Sequence, residues 1–309
     1  ATELIANELT TLWKERISSQ HGFIFDDRWH QWHWHISSQW VERVFQASPN
    51  PSTGEGRVNH TERELLAVDE RVLLIQDEVR QFFSWSLEED LESAVALCSI
   101  IDNSEVESWS QSRRAQTVAN LHRRLVLRPT DVAILGAAIS VEEVKKILPS
   151  NTLIIAADGA IGVLNELAES DSDRAWSRIA CLVSDADGGE GTIAAVKRGV
   201  PIILHAHGDN QAAWSSLVEL AASQRTPPPL VLTHQTPDTI RGMHNPGGFT
   251  DGDRAVCFAL SLGVKRENIA LLGTRTDIVG EWSGVTDVET KLVKLQWMSK
   301  VLQYLGFLV

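Results

Sequence analysis

IACLVSDADGGEGTIAAVKRGVPIILHAHGDN, residues 179–210, holds two short apolar runs, Ile179–Val183 and Pro201–Leu204. Each run ends in small and acidic residues: Ser184-Asp185-Ala186-Asp187-Gly188-Gly189 after the first, His205-Ala206-His207-Gly208-Asp209-Asn210 after the second. A helix-like segment of about ten residues joins them, which is the pattern of a parallel βαβ unit. Ligands of such sheets bind beyond the carboxyl ends of the strands. Asp185, Asp187 and Asp209 therefore fall where a ligand sits, and three carboxylates there would repel one another without a cation between them.

The same texture extends outward. Asp131–Gly136, Thr152–Ala157, Leu230–Thr233 and Asn268–Gly273 are four further apolar runs. Helical patterns at about Val141–Ile147, Ala160–Leu167, Gly191–Arg198, Gln211–Ala222 and Gly252–Leu262 separate the six, and Asp287–Leu305 closes the chain as a long helix. Regular alternation predicts an α/β domain over residues 128–309, with a mostly parallel sheet and helices on both faces. Residues 1–127 lack Gly-punctuated strands and are expected to form a helical domain, with helices near 4–17, Glu62–Phe83, Leu87–Ile101 and Arg113–Val126. Ala47–Gly56 is its clearest loop. Three histidines interleave with three tryptophans over Trp29–His35. This cluster is expected to pack against the second domain or the other subunit of a homodimer, since Trp and His often sit half buried.

With 43% hydrophobic and 22% charged residues over 309 positions, the composition is that of an ordinary soluble globular protein. A net charge of −13 argues against general nucleic-acid binding, which needs basic surface. Cys98, Cys181 and Cys257 are too scattered for a disulfide framework or a CxxC metal pair, which fits a reducing compartment. No apolar run approaches membrane-spanning length, and Glu3, Glu8 and Glu15 interrupt any leader-like core. A cytoplasmic enzyme or binding protein is expected.

Each strand end offers a chemical role. Gly136 and Ala137, with Ala138-Ile139-Ser140, form a turn of small residues that lets backbone N–H groups approach a phosphate or simply allows tight packing. Asp158, before Gly159, either caps the next helix or binds a ligand hydroxyl. Asp185 and Asp187, two residues apart on a turn, can share a hard cation such as Mg²⁺ through oxygen ligands. Asp209 and Asn210 join them, with His205 and His207 alongside. Thr250, Asp251 and Asp253 open a helix after a Gly-rich stretch, where the helix N-terminus and Arg254 suit a phosphate. Arg275 adds a cation after the last strand. Lys291 and Lys294 read as surface residues.

Taken in order, Ala156–Ala160, Ser184–Gly188, His205–Asn210, Gly248–Arg254 and Leu271–Gly273 resemble the archaeal 6-hydroxymethyl-7,8-dihydropterin pyrophosphokinase family. More distantly, they are similar to the thiamine pyrophosphokinase catalytic domain, with its ADG-type turn, DxD-type turn and later Asp. The resemblance spans about residues 130–305. It implies a Rossmann-like catalytic domain and Mg²⁺-dependent transfer of pyrophosphate from ATP to a reduced hydroxymethylpterin, releasing AMP. It also implies Asp185, Asp187 and Asp209 as the metal ligands. Asp187, Asp209 and His207 are the candidate catalytic groups, with His207 or a carboxylate taking the hydroxyl proton. Relatives often carry a GxGPSL-like turn after the first strand; Gly136-Ala137-Ala138-Ile139-Ser140-Val141 lacks its second glycine and its proline. A pyrophosphokinase for thiamine or another alcohol, a non-catalytic nucleotide- or pterin-binding module and a nucleotide-sugar transferase are the rival readings.

Overall fold

A computed structural model describes residues 64–307 other than 129 and 285. The helix expected near 4–17, the loop at 47–56 and the Trp29–His35 cluster lie outside the described residues. Six strands form one sheet: β1 (Val132–Leu135), β2 (Leu153–Ala157), β3 (Ile179–Ser184), β4 (Ile202–His205), β5 (Leu230–Thr233) and β6 (Ile269–Leu272). Their spatial order is β5-β4-β3-β2-β1-β6, and every pair is parallel. The strands read as unbroken apolar runs because both faces of a parallel sheet are covered.

The order explains where the helices go. Strands β1 to β5 follow one another in one direction, so right-handed crossovers place their connections on one face. That face holds α4 (Val141–Ile147), a 3₁₀ stretch Asp158–Asn165, α5 (Glu169–Arg178), α6 (Gly189–Lys197) and α7 (Gln211–Ala222). They pack on Leu135, Ile154, Ala156, Leu182, Leu204 and Leu232. Helix α2 (Leu87–Asp102) docks there too, against α7, through Leu97 and Trp214. Helices outside that run cover the other face: α1 (Arg71–Phe83), α3 (Gln111–Leu125), α8 (Asp251–Leu262) and α9 (Val288–Tyr304), over Ile134, Ile155, Val183, Ile203 and Val231. The helices before β1 thus share the sheet's own core. Among the described residues, no helix is long and apolar enough to cross a membrane.

Three expectations differ from the structure. Residues 158–165 form 3₁₀ rather than α-helix, in a tightly packed stretch that follows the left-handed turn at Asp158 and in which a Cβ on Gly162 would meet the Trp282 ring. Helix α5 has no counterpart among the expected helices, since only Ala175 of its ten residues is buried and all the others except Trp176 are polar. Helix α1 starts at Arg71 instead of Glu62. The residues before it are drawn into tertiary pairing: Leu66 bridges Asn245, and Leu65 N–H donates to His244 Nδ1 at 3.1 Å.

That pairing has a pH signature. His234 Nδ1 accepts from Thr236 N–H at 3.2 Å and lies 2.9 Å from the Thr236 hydroxyl, so both His234 and His244 serve as neutral acceptors. Burial pushes both down to about 4, helped by His244 in the first case and Arg114 in the second. The unfolded chain binds protons near 6.5, so stability is lost as pH falls from about 6.5 toward 4. In the His234→Asn/His244→Asn double variant, where Oδ1 can replace Nδ1 as acceptor, stability is expected to fall less over that range. The gap should be about 2–4 kcal/mol by urea denaturation at pH 7 and 4.5. Parallel pH profiles would refute the assignment.

Candidate active site

The carboxyl ends of β2 and β3 build the centre of the site. Just past β2, Asp158 turns into the left-handed region at φ 43°, and its side chain is buried. Its Oδ1 accepts from the Ser184 hydroxyl, at the end of β3, and from the Thr192 hydroxyl on α6 at 3.1 Å. Ser184 Oγ in turn accepts from Ala186 N–H at 2.9 Å, holding the Asp185-Ala186-Asp187 turn, in which Ala186 also has positive φ (80°). A non-glycine residue in that region costs about 1–2 kcal/mol, and two of the three among the described residues, Asp158 and Ala186, lie in this centre, the third being Ser84 at the end of α1. One oxygen each of Asp158, Asp185 and Asp187 lies within 4.8 Å of the others. Gly188 lets the two turns meet: a Cβ there would collide with Gly159 N, Thr192 Oγ1 and Asp158 Oδ2.

Asp209 is not the third member of this cluster. Asn210 anchors its loop by donating to Asp185 O at 2.9 Å and His205 O at 2.8 Å and accepting from His207 N–H. That leaves Asp209 77% exposed, paired with His207 Nδ1 at 2.6 Å. His207 Nε2 lies 3.3 Å from Asp185 Oδ2. With a carboxylate at each ring nitrogen, both nitrogens donate. Burial alone would lower this histidine, but the two carboxylates outweigh it and raise it to about 9. That shift favours the imidazolium, so of the two proton acceptors expected from sequence, His207 or a carboxylate, this geometry favours the carboxylate. Burial would raise Asp185, yet the hydrogen bond and charge of His207, with Arg254, hold it well below the usual carboxylate range. Burial, then the charges of Asp185 and Asp251, pushes Asp158 well up. Burial and Asp185 likewise raise Asp251, to about 7. His205, buried, is pushed well down and stays neutral.

A cleft runs from this cluster to the point where strand order reverses, between β1 and β6, the place where open α/β sheets take ligands. Gly136, Ala137, Asp158, Asp187, Thr250, Asp251, Arg275 and Lys291 are among its walls. The first turn is closed on itself. Gly136 N–H donates to Leu272 O, Ala138 N–H to Gly273 O and Ile139 N–H to Gly136 O. Glu143 also occupies the N-terminus of α4, accepting from Ser140 and from Gly273 N–H at 3.2 Å. This turn thus forms the wall of the cleft, and Gly136 serves close packing: a Cβ there would lie 2.8 Å from Gly273 O. Gly159 does likewise against Trp282 O. Asp253 is fully buried and accepts from Phe249 and Thr250 N–H at 2.6 and 2.8 Å, so it shapes the entry to α8 instead of facing the cleft. Arg254 is buried, with Nη1 3.5 Å from Asp251 Oδ1. Arg275 is half exposed and forks onto Asp277.

Lys291, read from the sequence as a surface residue, lines the cleft together with Trp282, which the sequence did not single out. Lys291 sits in the first turn of α9, and only the fold of that distant helix brings its charge toward Asp187 and Asp251. The donor set fits a hard divalent cation. Asp185 Oδ1 and Asp251 Oδ1 are buried with no hydrogen-bond partner among the described residues, and buried polar atoms need one. Carboxylate oxygens are the ligands Mg²⁺ takes.

Comparison with known proteins finds relatives that share one name. The protein named 6-hydroxymethyl-7,8-dihydropterin pyrophosphokinase from Pyrococcus furiosus is 32% identical over 182 residues, covering 56% of this chain and 71% of that protein. Its namesake from Methanothermobacter thermautotrophicus is 32% identical over 191 residues, covering 57% and 74%. The one from Methanocaldococcus jannaschii is 26% identical over 253 residues, covering 75% and 93%. No family model matches the chain. No solved structure matches it either.

Proposed function

Because this chain belongs to the 6-hydroxymethyl-7,8-dihydropterin pyrophosphokinase family, we propose that it transfers pyrophosphate from ATP to the hydroxymethyl group of the reduced pterin. The hydroxymethyl oxygen bonds to the β-phosphorus, the bond from that phosphorus to the α–β bridging oxygen breaks, and AMP leaves. The observation that carries this reading is the cluster of Asp158, Asp185 and Asp187, of which Asp158 and Asp187 line the β1–β6 cleft. Phosphoryl chemistry needs positioning and charge neutralisation more than covalent help.

Asp158, Asp185 and Asp187 would hold Mg²⁺, which when bound neutralises phosphate oxygens. The chain's own residues do the rest. Lys291 and Arg275 line the cleft and place positive charge along a triphosphate. Arg254, buried beside Asp251, would balance the charge of Asp251 and Asp185 behind the transferred group. His207 holds its proton between Asp185 and Asp209 and keeps Asp185 ionised. A carboxylate is then left to accept the hydroxyl proton.

Incubation with ATP, Mg²⁺ and 6-hydroxymethyl-7,8-dihydropterin is expected to yield AMP and pterin diphosphate in equal amounts. ADP as the nucleotide product, or AMP formed equally well with thiamine, would overturn the reading.

A further inference from the structure

Asp90 lies in the first turn of α2, outside the cleft, and is 3% exposed. Its Oδ2 accepts from Arg80 Nη1 at 3.1 Å and from Gln235 Nε2 at 2.9 Å, and its Oδ1 accepts from Gly208 N–H at 2.8 Å. Arg80 is also held by Gln235 O at 2.8 Å and by Asp77. An ionised carboxylate only accepts, so it dictates which way the Gln235 amide turns. With its NH₂ committed to Asp90, Gln235 must direct Oε1 to the opposite side. There it accepts from Arg254 Nη2 at 3.0 Å and lies 3.4 Å from His205 Nε2. The second arm ends at Gly208, between His207 and Asp209 in sequence. A Cβ at 208 would lie 3.0 Å from Glu89 Cβ, so this loop rests directly on the start of α2.

We propose that Asp90 is a positioning residue for the transfer site: through the Gln235 amide it aims Arg254, and through the Gly208 N–H it fixes the loop carrying His207. The inference rests on the pyrophosphokinase reading for its chemistry. It assigns the helices preceding the sheet a part in that chemistry beyond covering the core. Two buried polar arms thus run from one carboxylate, one to Arg254 and one to the loop that Asn210 anchors from its other side.

In Asp90→Asn, the amide NH₂ replaces either Oδ2, where it meets both Gln235 Nε2 and Arg80 Nη1, or Oδ1, where it meets Gly208 N–H, so one arm is broken in either orientation. If Gln235 flips to accommodate it, Gln235 presents NH₂ to the Arg254 guanidinium, donor against donor. Asp90→Asn is expected to lower kcat about 30-fold and to weaken ATP–Mg²⁺ binding by calorimetry about tenfold. Gln235→Met removes the relay while leaving Arg80 on Asp90, and is expected to lose as much. The double variant Asp90→Asn/Gln235→Glu keeps net charge: the new amide at position 90 donates to the new carboxylate at position 235, whose other oxygen accepts from Arg254. It should recover at least half of the logarithmic loss in both measurements. Recovery is the decisive arm, because a residue that merely held the fold would show no rescue from a changed partner. Wild-type affinity in Asp90→Asn or Gln235→Met, or a folded double variant no better than Asp90→Asn, overturns the inference. Absent turnover in the wild type, with the affinity pattern intact, counts against the activity reading and not against this one. A wild type that binds no nucleotide overturns both.

Discussion

Asp187→Asn is expected to slow pyrophosphoryl transfer by on the order of 10²–10³-fold while the chain folds and melts as the wild type does. Asp187 ends the turn that follows β3, at the solvent side of the acidic cluster, so the core does not depend on it. Removing one of three mutually close carboxylates relieves repulsion and leaves no buried group unpaired. The stability change should stay within about 0.5 kcal/mol. The loss comes instead from one fewer charged oxygen for Mg²⁺ and from its missing pull on Lys291. Turnover measured across a Mg²⁺ titration, beside a urea curve, checks both halves. The requirement for Mg²⁺ should move to higher concentration. Wild-type turnover at ordinary Mg²⁺ would remove Asp187 from the site, and a collapsed urea midpoint would make it structural.

Much of the architecture was legible because parallel strands announce themselves. Val132–Leu135, Ile179–Ser184 and Leu230–Thr233 are apolar at every position or nearly so, and each is followed by small or polar residues at the sheet's functional edge. Strand order was not legible, since nothing local in Ile269–Leu272 says that it returns beside β1. That return creates the cleft, so the locations of Lys291 and Trp282 were hidden with it. The structure groups Asp158, not Asp209, with Asp185 and Asp187 for a related reason. Asp185, Asp187 and Asp209 look equivalent as residues after strands, and spacing alone cannot rank them. What separates Asp209 from the others is Asn210, whose three hydrogen bonds tie the loop after β4 down and leave Asp209 outside. What selects Asp158 is its positive φ and the two hydroxyls of Ser184 and Thr192, both far away in sequence. Likewise, Asp253 looked like a ligand beside Asp251. Its burial under two backbone N–H groups depends on the left-handed turns at Gly247 and Gly248, where φ is 90° and 92°.

The Asp158→Asn variant separates function from stability more sharply. Asn matches the shape of Asp, is tolerated at positive φ, and its Oδ1 can still accept from Ser184 and Thr192. What disappears is a negative charge in a buried place, where burial and the charges of Asp185 and Asp251 already push the carboxyl well above its usual range. Without metal, that charge is a liability. The variant is therefore expected to be more stable than the wild type in chelator, by about 0.5–2 kcal/mol. With Mg²⁺ the order should reverse: binding to the native state alone raises the wild-type midpoint by mass action, whereas the variant has lost a ligand and should barely respond. Turnover should fall by on the order of 10²-fold or more. Melting curves of both proteins, in chelator and over a Mg²⁺ series, read the crossing directly. An Asp158→Asn chain that is less stable in chelator and still shifts with Mg²⁺ would mean the carboxylate is kept for its hydrogen bonds alone. The cation site would then have to be sought around Asp185 and Asp251, each with a buried Oδ1 that makes no hydrogen bond among the described residues.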